Sequence, residues 1–386
     1  MSRIARRHWL TGAGVLAGSS AFIPSLRDGA KDQVRARVFP AAWRPAPTGV
    51  YPVGRATRTL PIDGERVPVD LWYPAIARNH DPGATPPVDL LHPAMAPAWR
   101  DAAFAEGIGR APVILYQPSW FSHRRENSFM LANLASHGFV ALALDDIRRH
   151  PGPSSVLREV TLDQSSEAAM ERSLGVVAER VALSARVAAA ALDAFAADAG
   201  WSARIEAGRA GAVGFSFGGA VAAELVRAGA PMRAGVNLDG STFGEAGRLG
   251  IGRPFLTFFG DAPFPTSAEL SHPNPTIRLE AVLTQLESQR QLAQADVPGT
   301  WCFSVAGARH GDFADSLVIP PITTIGEKRV IDRPAMWNLI NGHVATFFNH
   351  TLKGEDPGIL NSASPWGIRP LREMQPLSLS DISAAR

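Results

Sequence analysis

The stretch Gly214-Phe215-Ser216-Phe217-Gly218-Gly219 sets a serine between glycines two positions before and two after it. It follows the apolar run Ala210-Gly-Ala-Val213 and precedes the small-residue run Ala220-Val-Ala-Ala223. That context predicts a tight strand-to-helix turn that lifts the serine hydroxyl above a sheet, with glycines where a Cβ would collide. The helix start then aims free N–H groups and the positive end of its dipole at the same place, which favours a developing negative charge. Serine is a weak nucleophile at its ordinary pKa. It needs a base to take its proton and a carboxylate to orient that base.

Ten histidines are present, and four follow Ser216: His272, His310, His343 and His350. His310 lies in Ala306-Gly-Ala-Arg-His-Gly-Asp-Phe313, a few residues after the apolar run Thr300 to Val305, where a loop at the carboxyl edge of a sheet would deliver it. His343 and His350 fall inside a helical pattern and His272 in a proline-rich loop, so His310 is the expected base. Two aspartates compete as its partner. Asp239 ends Gly235-Val-Asn-Leu238, and Asp261 follows Phe258-Phe259-Gly260. Both stand at carboxyl ends of expected strands, and both keep the chain order serine, acid, histidine.

The elements that must position these groups are legible as alternating patterns. Thr57–Leu60 and Val67–Tyr73 are expected to pair as antiparallel strands around an Asp63-Gly64 turn. Ala111–Tyr116 and Phe139–Leu144 are continuous apolar runs, as strands buried on both faces require. Further strands are expected at 210–215, 234–238, 254–259 and 300–305. Helices are expected at 127–136, about 166–197, 218–228, 277–295 and 336–352. The segment from Pro74 to Arg110, crowded with proline and alanine, shows no period. Alternation of this kind predicts an α/β fold: one mostly parallel sheet with helices on both faces.

The 386 residues are 46% hydrophobic and 19% charged, enough apolar material for a sizeable core. The net charge of +2 rests on the amino terminus, since without Arg3, Arg6 and Arg7 the 38 basic residues fall to 35 against 36 acidic ones. No basic stretch interleaved with aromatics remains, and nucleic acid is not an expected partner. Arg6-Arg7-His8-Trp9-Leu10 precedes a short glycine-broken apolar stretch, Thr11 to Ile23. This pattern resembles a twin-arginine export signal more than a membrane span. The expected organisation is a signal over 1–30, a proline-rich linker over 31–53 and a catalytic domain over 54–386, in an exported, periplasmic or extracellular protein. The single cysteine, Cys302, sits in an apolar run and is expected to be a buried thiol. No His/Asp/Glu cluster has ligand spacing, so neither a metal nor a cofactor is expected.

Four passages together resemble the plasma-type platelet-activating-factor acetylhydrolases and their bacterial relatives within the α/β-hydrolases. The turn G-F-S-F-G-G-A is similar to that family's glycine-histidine-serine-phenylalanine-glycine-glycine-alanine. His310-Gly-Asp-Phe-Ala-Asp315 is similar to its histidine-x-x-phenylalanine-alanine-aspartate stretch. Leu134-Ala-Ser-His-Gly-Phe139 resembles its helix-to-strand passage, and Asp239, in a leucine-aspartate context, stands where the family has its acid. The resemblance implies an α/β-hydrolase fold and a serine esterase with Ser216, Asp239 and His310 as its triad. It also implies backbone oxyanion donors at Phe217 and at Trp120, with Phe121 as the alternative to Trp120. Two departures stand out: Pro118-Ser119 where the family has histidine-glycine, and Phe215 where it has histidine. The implied substrate is a small-molecule or lipid ester with a short acyl chain, oxidised or short-chain phospholipids among them. Polyester, aryl-ester or lactone substrates are the alternatives, and a non-catalytic binding protein of the same fold is the alternative of another class. Trp120, Phe121, Phe258 and Phe264 are candidate pocket aromatics. Membrane contact and oligomeric state are left open.

Overall fold

Asp63 and Gly64 close the first hairpin with positive φ angles of 49° and 81°, as the type I′ turn of a two-residue hairpin demands. The strands they join, β1 (Val53–Ile62) and β2 (Glu65–Pro74), pair antiparallel along their whole length, from Val53 opposite Pro74 to Ile62 opposite Glu65. The computed structural model describes residues 44–77, 95–146, 163, 166–261, 264–315, 332–362 and 368–374. The export signal expected at 1–30 lies outside them.

Eight further strands follow: β3 (Trp99–Arg100), β4 (Ala111–Gln117), β5 (Val140–Leu144), β6 (Ile205–Phe215), β7 (Met232–Leu238), β8 (Phe255–Phe259), β9 (Trp301–Val305) and β10 (Ile368–Pro370). They form one sheet in the order β10-β9-β8-β7-β6-β4-β5-β2-β1-β3. From β5 through β4, β6, β7 and β8 to β9 every pairing is parallel. β2 joins β5 antiparallel, and β10 joins β9 antiparallel. The parallel centre needs crossovers, and the helices α1 (Ser128–Ser136), α2 (Glu167–Ala196), α3 (Phe217–Ala228), α4 (Gly244–Leu249), α5 (Ser267–Leu270) and α6 (Pro275–Gln294) supply them, while α7 (Arg333–Lys353) follows the last parallel strand.

Side-chain alternation along the strands divides the core between two faces. Ile114, Tyr116, Val213, Phe215, Val236 and Leu238 pack with Phe129 and Leu134 of α1 and with Ile340, Val344 and Phe348 of α7. Their neighbours Val113, Leu115, Ala210 and Ala212 pack on the other face with Val177 and Val181 of α2 and Val221 and Leu225 of α3. Every residue of β4, β5 and β8 is buried, which is why these strands read as apolar runs, with Gln117 and Thr257 their polar members. Each large apolar side chain so buried contributes about 1.5–3 kcal/mol. Cys302 lies inside this structure too, and burial pushes its thiol far above the usual range.

The differences from expectation have simple causes. β1 and β6 extend beyond the segments expected for them: β1 pairs with β2 along its whole length, its added residues Val53–Ala56 buried, and β6 begins at Ile205, where Ile205 and Glu206 pair with Ala111 and Pro112. β3, β10, α4 and α5 are too short to carry a period, and β3 falls in the stretch that showed none. The described end of the segment expected as linker is tied down. Arg44 bonds Asp315 at 3.1 Å, and Thr48 donates from both N–H and hydroxyl to Asn133 Oδ1 at 2.9 and 3.0 Å.

Candidate active site

Ser216 stands between β6 and α3 with φ 55° and ψ −119°, a conformation that costs a residue with a Cβ about 1–3 kcal/mol. The surroundings hold it there. Its N–H donates to Leu238 O at 2.9 Å. A Cβ on Gly214 would come within 2.0 Å of Gly218 O, and one on Gly218 within 2.1 Å of Gln117 O. The two glycines read from sequence as steric necessities are required by these approaches. Two more emerge from the fold: a Cβ on Gly219 would strike Asn237 Oδ1, and one on Gly240 would meet Ser216 O at 2.0 Å.

His310 reaches the serine from the loop after β9. Its Nε2 lies 2.9 Å from Ser216 Oγ and its Nδ1 2.8 Å from Asp239 Oδ2. Asp239 is fully buried at the end of β7, where its other oxygen accepts the Gly260 N–H at 2.7 Å and its own N–H donates to Phe258 O. Its φ of 54° is one that aspartate tolerates better than most residues. Asn237 braces the turn after it, exchanging two hydrogen bonds with the Gly240 backbone. Asp261 is exposed, and its backbone N–H ties the loop to Ala308 O at 2.8 Å. Of the two acids left open by sequence, the structure therefore brings Asp239 to His310.

The histidine loop is held from below. His310 opens a short 3₁₀ turn, His310–Phe313. Asp312 accepts the Arg309 N–H and the Arg333 guanidinium, and its carbonyl accepts the Trp337 indole N–H at 2.8 Å. Asp315 caps the start of α1 through the N–H and hydroxyl of Ser128. The phenylalanine-alanine-aspartate part of the motif is thus a buried anchor for the loop. Phe215, one of the departures, is fully buried with its ring 4.9 Å from the imidazole of His310.

The loop after β4 carries the other departure. Where glycine is absent, carboxylates shape the backbone. Glu126 accepts the Ser119 N–H and hydroxyl, both at 2.6 Å, and Asp146 accepts the Phe121 N–H at 2.5 Å. The Trp120 N–H between them has no acceptor among the described residues, nor does that of Phe217 at the start of α3. Phe121 takes a φ of 58° and its N–H is occupied, so of the two loop candidates Trp120 has the available donor. Arg124 and Arg125 of the same loop pair with the buried Asp70 of β2 at 3.0 and 2.8 Å. Burial alone would raise that carboxyl, but these guanidinium groups, Arg55 and the Thr57 hydroxyl hold it well below the usual carboxylate range.

Two of the four candidate pocket aromatics are not at this site. Phe258 is fully buried beneath the sheet against Phe303 and His343, and Phe264 packs beside Phe259, Cys302 and Leu371. Strand alternation sends Phe258 into the core, a direction that its place near a strand end did not reveal. Trp120 and Phe121 stand beside the serine turn with Phe217, which sequence marked only as a backbone donor; Trp120 meets Phe121 and Phe217 edge to face, centroids 5.5 and 4.7 Å apart.

A ferulic acid esterase from Streptomyces cinnamoneus superposes on this architecture with a TM-score of 0.62, covering 84% of this chain and 98% of that one. The fold is that of an α/β-hydrolase. At 20% identity the likeness speaks for the fold. No protein-family model matches the chain, and neither does any curated protein. Within the α/β-hydrolase plan, Ser216 occupies the strand-to-helix turn at the carboxyl edge of the sheet, and Asp239 and His310 follow in the order serine, acid, histidine.

Proposed function

We propose that this α/β-hydrolase is a carboxylic-ester hydrolase working through an acyl-serine intermediate. The observation that carries the reading is the hydrogen-bonded series Ser216 Oγ, His310 and Asp239, with contacts of 2.9 and 2.8 Å. His310 takes the Ser216 proton as Oγ attacks the ester carbonyl. The Phe217 and Trp120 N–H groups receive the oxyanion, and the imidazolium returns the proton to the leaving alkoxide. Water then enters, is deprotonated by the same histidine and attacks the acyl carbonyl; the acyl–Oγ bond breaks, the acid leaves, and the imidazolium returns its proton to Ser216 Oγ. Two preorganised donors in a site of this kind are worth about 3 kcal/mol each in the transition state.

Two substrate readings follow. The resemblance to platelet-activating-factor acetylhydrolases favours a short acyl chain, as on oxidised or truncated phospholipids. The fold shared with a ferulic acid esterase, together with Trp120, Phe121 and Phe217 beside the nucleophile, favours an ester of an aromatic acid. The short-acyl reading ranks first because it rests on four passages of this chain. A panel of nitrophenyl esters from acetate to octanoate, run beside methyl ferulate, tests it. We expect kcat/KM to be highest for the acetyl and propionyl esters and to fall with each added pair of carbons. A maximum at methyl ferulate or at octanoate would reverse the ranking.

Arg6-Arg7 and the short apolar stretch after them support export by the twin-arginine route. Lysine keeps the charge but loses the planar guanidinium pair. Arg6→Lys with Arg7→Lys should abolish accumulation in the periplasm, measured by fractionation. Undiminished export of that variant would remove the proposal.

A further inference from the structure

Arg180, in the middle of α2, is completely buried. Its Nη2 donates to both oxygens of Asp146, at 2.7 and 2.5 Å, and Asp146 is itself buried at the carboxyl end of β5. Its Nε and Nη1 have no hydrogen-bond partner among the described residues. In place of one, the guanidinium lies over the rings of Trp120, Phe121 and Phe217, at 4.3, 5.0 and 5.4 Å from their centroids. Rings at this range attract a cation through their π faces, and more so where water is excluded. Burial draws the Arg180 pKa down, and Asp146 draws it back up. Two of the three rings belong to Trp120 and Phe217, whose N–H groups have no acceptor among the described residues. The third residue, Phe121, gives its N–H to the same Asp146 that pairs with Arg180.

We propose that the Arg180–Asp146 pair is a positioning device for the oxyanion hole: its ring contacts and its hold on Phe121 keep the Trp120 N–H beside that of Phe217. The proposal rests on the acyl-serine reading above. Asp146 holds Phe121 in its left-handed turn on one side, as Glu126 holds Ser119 on the other, and the Trp120 N–H between them is left without an acceptor among the described residues. Arg180 holds the rings of both donor residues against one cation, so neither peptide can rotate without lifting a ring from it. The pair touches no reacting atom and acts only through the backbone it holds.

The test uses the full-length enzyme and starts with fluorophosphonate labelling of the wild type, which must modify Ser216. Failure there overturns the acyl-serine reading itself. Arg180→Lys keeps the charge but loses the broad guanidinium that reaches all three rings and Asp146 at once, and the neutral pair Asp146→Asn/Arg180→Gln avoids leaving a lone buried charge. We expect both to melt cooperatively and still to be labelled, with kcat lowered about 10²-fold, the loss of one oxyanion donor, and KM within about threefold. Affinity for an alkyl boronic acid, which forms a tetrahedral adduct on the serine, should fall in parallel. A general structural role would not move that affinity relative to KM. Either variant folded, with kcat within about threefold of wild type or with a loss confined to KM, would falsify the proposal.

Discussion

Ser216→Ala should leave a folded protein whose ester turnover is lower by on the order of 10⁴-fold or more. The loss is expected to be this large because base, acid and oxyanion donors have nothing to act on once the attacking oxygen is gone. Folding should survive for a local reason. Alanine carries the same Cβ into the same strained turn, and the bond from the residue-216 N–H to Leu238 O belongs to the backbone. Kinetics with a nitrophenyl ester and a thermal melt on the same samples check both halves. Intact mass after treatment with a fluorophosphonate gives an independent reading: the wild type gains one adduct and the variant none. An Ser216→Ala enzyme with turnover within tenfold of wild type would move the nucleophile elsewhere.

Asp239→Asn should be nearly as costly, about 10⁴-fold in turnover, and the structure says why the amide must orient unfavourably. Asp239 Oδ1 accepts the Gly260 N–H at 2.7 Å, so the amide oxygen of an asparagine is held on that side. Its NH₂ group then faces His310 Nδ1. The imidazole must accept there and carry its proton on Nε2, pointing at the serine it should deprotonate. Asparagine tolerates a φ of 54° as well as aspartate does, so the melting temperature should change little. Asp261→Asn is the control. Asp261 is exposed and contributes a backbone N–H to Ala308 O, which the substitution leaves in place. Its turnover should stay within about threefold of wild type and its stability within ~0.5 kcal/mol. Inactivity of Asp261→Asn with activity of Asp239→Asn would transfer the acid to Asp261.

Local chemistry explains which of these features could be read along the chain. A serine turn flanked by glycines needs about ten residues to declare itself, and the runs on either side of Ser216 supply them. The core strands were legible because burial on both faces leaves β4, β5 and β8 apolar apart from Gln117 and Thr257. The longer helices were legible by their period, and the Asp63-Gly64 hairpin by the φ angles that its turn type requires. His310 was singled out by its place a few residues beyond a strand. All of these signals are carried by residues close together in sequence, and so are the propensities and patterns that produce them.

Contacts between distant residues are a different matter. Asp239 and Asp261 satisfy the same rule of chain order, and only the packing of β7 against β8 puts one carboxylate within 2.8 Å of the imidazole, 71 positions away, and the other in solvent. Likewise, Trp120 and Phe121 are neighbours of similar character until Asp146, beyond the next strand, takes the N–H of one. Phe258 looks like a pocket residue from its place near a strand end, and strand alternation turns it into the core. Arg180 has no local signature at all: in an alanine-rich helix it reads as one more solvated charge. Its burial follows from the sheet, the loop after β4 and the start of α3 closing over one point of α2. Composition and period report the environment that a residue prefers, whereas a hydrogen bond across the fold depends on the rigid placement of elements whose sequences do not mention one another.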